Sequence, residues 1–213
     1  MLNIPYVSQP SGSPFCGAAC ASMLIQYYKN KVIPTDQIWL GTAMVSPETG
    51  RQYTRTSRLQ SYLSDSFFKC TTVQIRPNKL SKLLDFCLNN DLAPIINHKY
   101  SKELDGGHYS VVNGYINDVV SVNDPDDKSR TSFAINVLEE LMIRNKGDEQ
   151  GHNTVIVPIF NKFPRANCPC QFCGSIIDMS LSRIINDLGE RVIEAELCTH
   201  CEAYNKVPER SDK

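Results

Sequence analysis

The chain has 213 residues, 41% of them hydrophobic, and a formal net charge of −1. That length suits one ordinary domain plus a small module, and the apolar content excludes a disordered chain. The balanced charge disfavours a globally basic nucleic-acid binder, and no apolar run approaches the roughly 20 residues of a membrane helix. The N-terminus has no basic region followed by an apolar stretch, so the expectation is a cytoplasmic protein. The nine cysteines stand at positions 16, 20, 70, 87, 168, 170, 173, 198 and 201. An odd count without a signal peptide points to thiol chemistry and metal ligation rather than a disulfide framework.

In chain order, residues 2–8 read as an extended entry segment and residues 9–14 as a turn-rich loop with two prolines and a glycine. From Cys16 to Lys29 the sets Ala19, Met23, Tyr27 and Cys20, Leu24, Tyr28 recur at helical spacing. Residues 31–56 are mixed, with a turn at 48–50, and a second helix is expected over 56–63. Residues 71–75 suit a strand, 77–89 a helix with Leu80, Leu83, Leu84 and Leu88 on one side, and 92–97 a buried strand. Residues 109–115 and 119–122 read as a hairpin turning at Asn117-Asp118. Residues 154–160 form a last strand, in which Pro158 suggests an edge position. This order predicts an α+β fold. Residues 161–167, with Pro164, read as a linker, which divides the chain into a domain at 1–162 and a module at 163–213.

Four residues carry the chemistry. A thiol is only a few per cent thiolate at neutral pH, so a nucleophilic cysteine needs help. Cys16 stands where a helix begins, so exposed N–H groups and the helix dipole favour its thiolate. Gly17 lets a substrate come close. His108 opens one strand of the hairpin and Asp124 ends the other, and a turn midway between them brings the outer ends together. An imidazole can take and return the thiol proton, and a carboxylate can orient the imidazole. Gln9, in the loop before the helix, is placed to donate to an oxyanion. His98 and His152 are alternative bases. Asn123 is an alternative orienter, although it points to the other face of its strand.

The segments Ile-Pro-Tyr-Val-Ser-Gln9, Cys16-Gly-Ala-Ala, Gly107-His108-Tyr-Ser-Val-Val-Asn-Gly-Tyr and Val-Asn123-Asp124-Pro125 resemble the papain-like cysteine peptidases that process bacteriocin leaders, the double-glycine peptidases. The resemblance spans residues 2–160. It implies a papain-like fold, with helices packed on an antiparallel sheet, in which Cys16 is the nucleophile, His108 the base, Asp124 the orienter and Gln9 the oxyanion donor. The substrate implied is a protein or peptide. One departure is the loop from Gln9 to Cys16, a residue longer than in that group and rich in proline.

Cys170-Gln-Phe-Cys173 and Cys198-Thr-His-Cys201 form two C-x-x-C pairs separated by 24 residues. Each pair can close a knuckle presenting two thiolates, and four thiolates in a tetrahedral array suit zinc. A structural Zn2+ in a ribbon-like module is therefore expected, with a helix over 181–188 and a strand over 191–197. Cys168 and His200 are alternative ligands. From residue 161 onward there are seven Lys/Arg and eight Asp/Glu, so phosphate has no electrostatic footprint there. A structural role or a protein partner is favoured for the module. The reading for the whole chain is a hydrolase cleaving a peptide or isopeptide bond through a thioester on Cys16. Two alternatives stand beside it: a deamidase or acyltransferase using the same residues, and an inactive adaptor that presents the zinc module.

Overall fold

The computed structural model describes residues 1–208 apart from 48, 105, 129, 145–150, 161–162, 165 and 189, and of 144, 151 and 152 the backbone alone. Helix α1 (Cys16–Lys29) follows the N-terminal strap, and α2 (Thr35–Thr42) leads into a small hairpin of β1 (Ala43–Val45) and β2 (Gln52–Thr54). Then come α3 (Thr56–Ser66), β3 (Cys70–Ile75), α4 (Leu80–Asn89), β4 (Ile95–Lys99), β5 (Gly107–Ile116), β6 (Val119–Asn123) and β7 (Ser132–Ala134). Next are α5 (Ile135–Met142), the short pair β8 (Ile143–Arg144) and β9 (Gly151–His152), and β10 (Thr154–Pro158). The chain continues through β11 (Asn167–Pro169), β12 (Ile176–Asp178), α6 (Ser180–Asp187), β13 (Ile193–Leu197) and β14 (Tyr204–Lys206).

One eight-stranded sheet, ordered β14-β13-β3-β10-β4-β5-β6-β7, organises the molecule. Its neighbouring strands are all antiparallel. Because side chains alternate along a strand, the central strands β3, β10, β4 and β5 feed two cores. Val155 and Val157 join Leu83, Leu84, Leu138, Leu181 and Ile185 of α4, α5 and α6 on one face. Ile156 between them joins Met23, Leu24, Ile38, Leu59 and Leu63 of α1, α2 and α3 on the other. Ile95 and Ile96 divide in the same way. Helices therefore cover both faces, and apolar runs such as Val-Ile-Val are buried on both sides.

The long hairpin turns where the sequence predicts. Asn117 and Asp118 have φ of 50° and 60°, the paired left-handed conformation of a type I′ turn. Helix α1 ends at Asn30, which is left-handed with φ 50° and returns its N–H to the Gln26 carbonyl. Pro158, expected to mark an edge, lies in a central strand between β3 and β4. It is tolerated there because it is the last residue of β10, and β4 pairs only with Val155 and Ile156.

The change of composition near residue 162 is not a break in the sheet. β13 pairs antiparallel with β3, with Ile193 opposite Ile75 and Glu196 opposite Val73. Leu181, Ile185, Val192 and Ile193 share a core with Val73 and Val155. The linker expected over 161–167 falls partly outside the described residues, as do the turn at 48–50 and the last five residues of the module.

Candidate active site

Cys16 is the first residue of α1, so its thiol stands at a helix N-terminus among backbone N–H groups without intrahelical acceptors. The helix is pressed against β5. A Cβ on Gly17 would come within 2.9 Å of the Thr54 methyl and 3.3 Å of the Tyr109 ring. The need for glycine there is helix-to-strand packing, whereas the sequence suggested substrate access. At Gly106, by contrast, a Cβ would meet nothing within 4 Å.

His108 is buried at the start of β5, and its Nε2 lies 2.7 Å from Asp124 Oδ1. The Cys16 thiol is close enough to the ring to raise its pKa. Because Nε2 faces the carboxylate, Nδ1 is the nitrogen left for the sulfur. Burial works to keep the imidazole neutral. The interactions with Asp124 and Cys16 outweigh it and lift the pKa from 6.5 to about 9. The site thus favours an imidazolium beside the sulfur at neutral pH.

Asp124 is 1% exposed. It accepts from the N–H of Asp126 at 3.0 Å, from the N–H of Asp127 at 3.4 Å, and at Oδ2 from Arg130 Nη1 at 3.3 Å. Burial penalises its charge, yet His108 and these donors hold its carboxyl below the ordinary range. Arg130 also donates to the Tyr100 carbonyl at 3.2 Å and lies over the Tyr100 ring, 4.1 Å from its centroid. Nothing in the sequence singles out Arg130, because a turn separates it from the hairpin.

Asn123, the alternative orienter, is used elsewhere. It donates to the Ile4 carbonyl at 3.1 Å and accepts from Asn113 at 3.0 Å. Together with the Leu2 N–H bond to Asn113 O and the Gln9 N–H bond to Pro125 O, this lays residues 2–9 across the hairpin. The strap delivers Gln9 to the Asp124 turn. There Gln9 Nε2 donates to the Ser13 carbonyl at 3.0 Å and to Asp126 Oδ1 at 2.8 Å. Both amide protons therefore have acceptors other than an oxyanion.

His98 stands opposite His108 in the β4–β5 register, with ring centroids 5.3 Å apart. Its Nδ1 bonds the Lys99 carbonyl at 2.7 Å and its Nε2 the Ser110 hydroxyl at 2.9 Å. A carbonyl only accepts, so Nδ1 carries the proton and Nε2 accepts from Ser110. Burial and the neighbouring His108 charge hold its pKa at about 4. His98 is a neutral wall of the site rather than a base. The side chain of His152 lies outside the described residues. Burial pushes the thiols of Cys20, Cys70 and Cys87 up, which separates them from nucleophilic duty.

A model of the peptidase C39 family matches residues 3–141, more than half of the chain. The chain belongs to the peptidase C39 family. This C39 protein is thus a cysteine peptidase, and the matched residues contain Gln9, Cys16, His108 and Asp124. Among solved structures it is similar to the peptidase domain of Streptococcus ComA, described as a bifunctional ABC transporter involved in a quorum-sensing pathway. That likeness has 18% identity and a TM-score of 0.53, covering 73% of this chain and 98% of that one. A C39-like peptidase from Bacillus anthracis has 13% identity and a TM-score of 0.53, covering 75% of this chain and 96% of that one. At such identities the likeness concerns the fold. No curated protein sequence matches the chain.

The C39 protein carries a second cluster. The sulfurs of Cys170, Cys173, Cys198 and Cys201 all lie within 4.8 Å of one another. Cys170 and Cys201 sulfurs are 3.5 Å apart, and those of Cys173 and Cys198 are 3.8 Å apart. Four sulfurs at a zinc–sulfur distance of about 2.3 Å stand about 3.8 Å apart along the edges of a tetrahedron. The four thiols thus fit a tetrahedral metal ion. The knuckles close alike: Gly174 N–H returns to the Cys170 carbonyl at 2.9 Å and Glu202 N–H to the Cys198 carbonyl at 2.8 Å. Gly174 and Glu202 are both left-handed, with φ of 77° and 61°. Cys168, in β11, and the exposed His200 are not part of this four-residue cluster.

No helix among the described residues is long and apolar enough to cross a membrane.

Proposed function

We propose that this C39 peptidase cleaves a peptide bond through a thioester on Cys16, with His108 as acid and base and Asp124 as its orienter. The observation that carries the reading is the position of His108, bonded to the Asp124 carboxylate and close enough to the Cys16 thiol for the sulfur to raise its pKa. The Cys16 sulfur attacks the scissile carbonyl carbon, and the His108 imidazolium gives its proton to the departing amine. His108, now neutral, takes a proton from water as the water attacks the thioester. The acid product leaves and the sulfur keeps the electron pair. The oxyanion formed at each attack lies near the N-terminus of α1, where the Cys16 N–H and the Gln9 side-chain amide are the donors, once Gln9 leaves one of its present acceptors.

Cys170, Cys173, Cys198 and Cys201 would hold a structural Zn2+, which when bound supplies folding free energy to the C-terminal strands. The substrate is a protein or peptide chain that passes the exposed rim at Gly106 and Gly107. The experiment is labelling with a peptide bearing a thiol-directed acyl electrophile, read by mass spectrometry of the intact protein and its fragments. One adduct per chain on Cys16, lost on heating or in Cys16→Ala, is the expected result. Labelling no faster than free cysteine, or peptide cleavage that survives Cys16→Ala, overturns the reading.

A further inference from the structure

Glu202, just after the metal-cluster residue Cys201, does not face away from the peptidase. Its left-handed backbone is set by closure of the second knuckle. Its carboxylate accepts from Ser57 Oγ at 2.6 Å and is ion-paired with Arg55. Arg55 is the N-cap of α3 and Ser57 its second residue, so the carboxylate also lies at the positive end of that helix. Thr56, between them, hydrogen-bonds the Tyr109 hydroxyl at 2.8 Å, and Tyr109 donates to the Thr54 carbonyl at 3.3 Å. Thr54 and Tyr109 are the two residues pressed against Gly17. Gly17 follows the nucleophile and Tyr109 follows the base. Residues 54–56 therefore rest on both catalytic neighbours, and the metal knuckle holds them from behind.

We infer that Glu202 is a positioning residue for the active site, linking the closed four-cysteine knuckle through the start of α3 to the Cys16–His108 pair. The inference rests on the catalytic reading of that pair. It ties the C-terminal module to catalysis. When the second knuckle is closed, the β2–α3 junction is seated and the sulfur–imidazole distance is set. The Arg55–Glu202 pair is partly exposed, with about a quarter of each side chain accessible, so its contribution is placement more than bulk stability.

The test uses the full chain with Glu202→Ala, Glu202→Gln, Ser57→Ala and the double variant Ser57→Ala with Glu202→Ala. Four quantities are measured: bound metal per chain, thermal midpoint, kcat and KM for peptide cleavage, and the pH profile of Cys16 alkylation by iodoacetamide. Long-range couplings of this kind change rates roughly two- to thirty-fold. Glu202→Ala should keep its metal, lower kcat within that range at similar KM, and slow Cys16 alkylation with an altered pH profile. Glu202→Gln, which keeps an acceptor for Ser57, should recover part of the loss. The double variant should be no worse than Glu202→Ala alone, because both remove one link. An unchanged alkylation profile in Glu202→Ala, or losses that simply add, overturns the inference. If instead Cys16 of the unaltered chain reacts no faster than free cysteine, the catalytic reading itself has failed.

Discussion

Gln9 Nε2 lies 2.8 Å from Asp126 Oδ1, so a charged acceptor holds the amide expected to serve the oxyanion. The loop that carries Gln9 is fixed by its own backbone bond to Pro125, which places glutamine and aspartate side by side. A hydrogen bond to a charged group contributes about 1.5 kcal/mol net, or about tenfold in rate if it must be released before catalysis. Asp126→Ala is therefore predicted to raise kcat, by up to about tenfold, with little change in KM. Gln9→Ala is predicted to lower kcat on the order of 10²–10³-fold. Steady-state kinetics on one peptide substrate measures both. A slower Asp126→Ala enzyme would mean that the carboxylate aligns Gln9 rather than restrains it.

The pH dependence follows from His108 and Asp124. The folded-state pKa of His108 is raised from 6.5 to about 9. Its contribution to stability is thus fully present below about 6.5 and is lost as pH rises through about 9. The imidazolium needed for leaving-group protonation is lost over the same interval, so kcat/KM should fall on an alkaline limb near pH 9. The Asp124 carboxyl is depressed below 3.8, so its contribution is present above that value and is lost as pH falls through the lower folded value. Asp124→Asn should move the alkaline limb downward, because it removes the charge that stabilises the imidazolium. A limb that stays near 9 in that variant contradicts the assignment.

The two neighbouring histidines should behave differently. His98 is neutral and spends both nitrogens on Lys99 and Ser110. His98→Gln should therefore retain peptide cleavage within about tenfold while lowering the thermal midpoint, since it disturbs a fully buried group. His108→Gln should reduce cleavage to the level of Cys16→Ala, because triad members act as a unit. Parallel assays of the two variants separate wall from base.

Metal removal should be felt by the whole chain. The four-cysteine cluster terminates β13, and β13 is hydrogen-bonded to β3 in the central sheet. Chelation at neutral pH, or Cys170→Ser combined with Cys198→Ser, is predicted to lower the midpoint of a single thermal transition. Two separate transitions, with the larger unmoved, would show the module to be energetically independent. Elemental analysis beforehand should give one zinc per chain.

Much of the site was legible in the sequence because local rules governed it. The helix start at Cys16 and the Asn117-Asp118 turn are both short-range features, and the turn alone brings His108 to Asp124. The two C-x-x-C pairs were legible for the same reason, since each knuckle closes on itself. What escaped were features that depend on strand order. Nothing local announces that residues 193–197 lie beside residues 70–75, or that a proline-ending strand is central. Arg130, Asp126 and Glu202 act on the site across 6, 117 and 145 positions from Asp124, Gln9 and Ser57. Such spans leave no periodic trace. Gly17 stands out in the sequence beside the nucleophile, but the reason for it, the approach of Thr54, belongs to tertiary packing.

The β3–β13 pairing also imposes a timetable. Strand β3 is made early, and its outer partner comes more than a hundred residues later. Until then a growing chain carries a bare strand edge, the kind of surface that seeks a partner on another molecule. The proposed nucleophile, base and orienter are all synthesised before residue 125, yet the outer strands β13 and β14 of the sheet that carries His108 arrive only with residues 193–206. A chain cut after residue 160, with the outer edge of β3 bare, is therefore expected to aggregate although Cys16, His108 and Asp124 are all in its sequence.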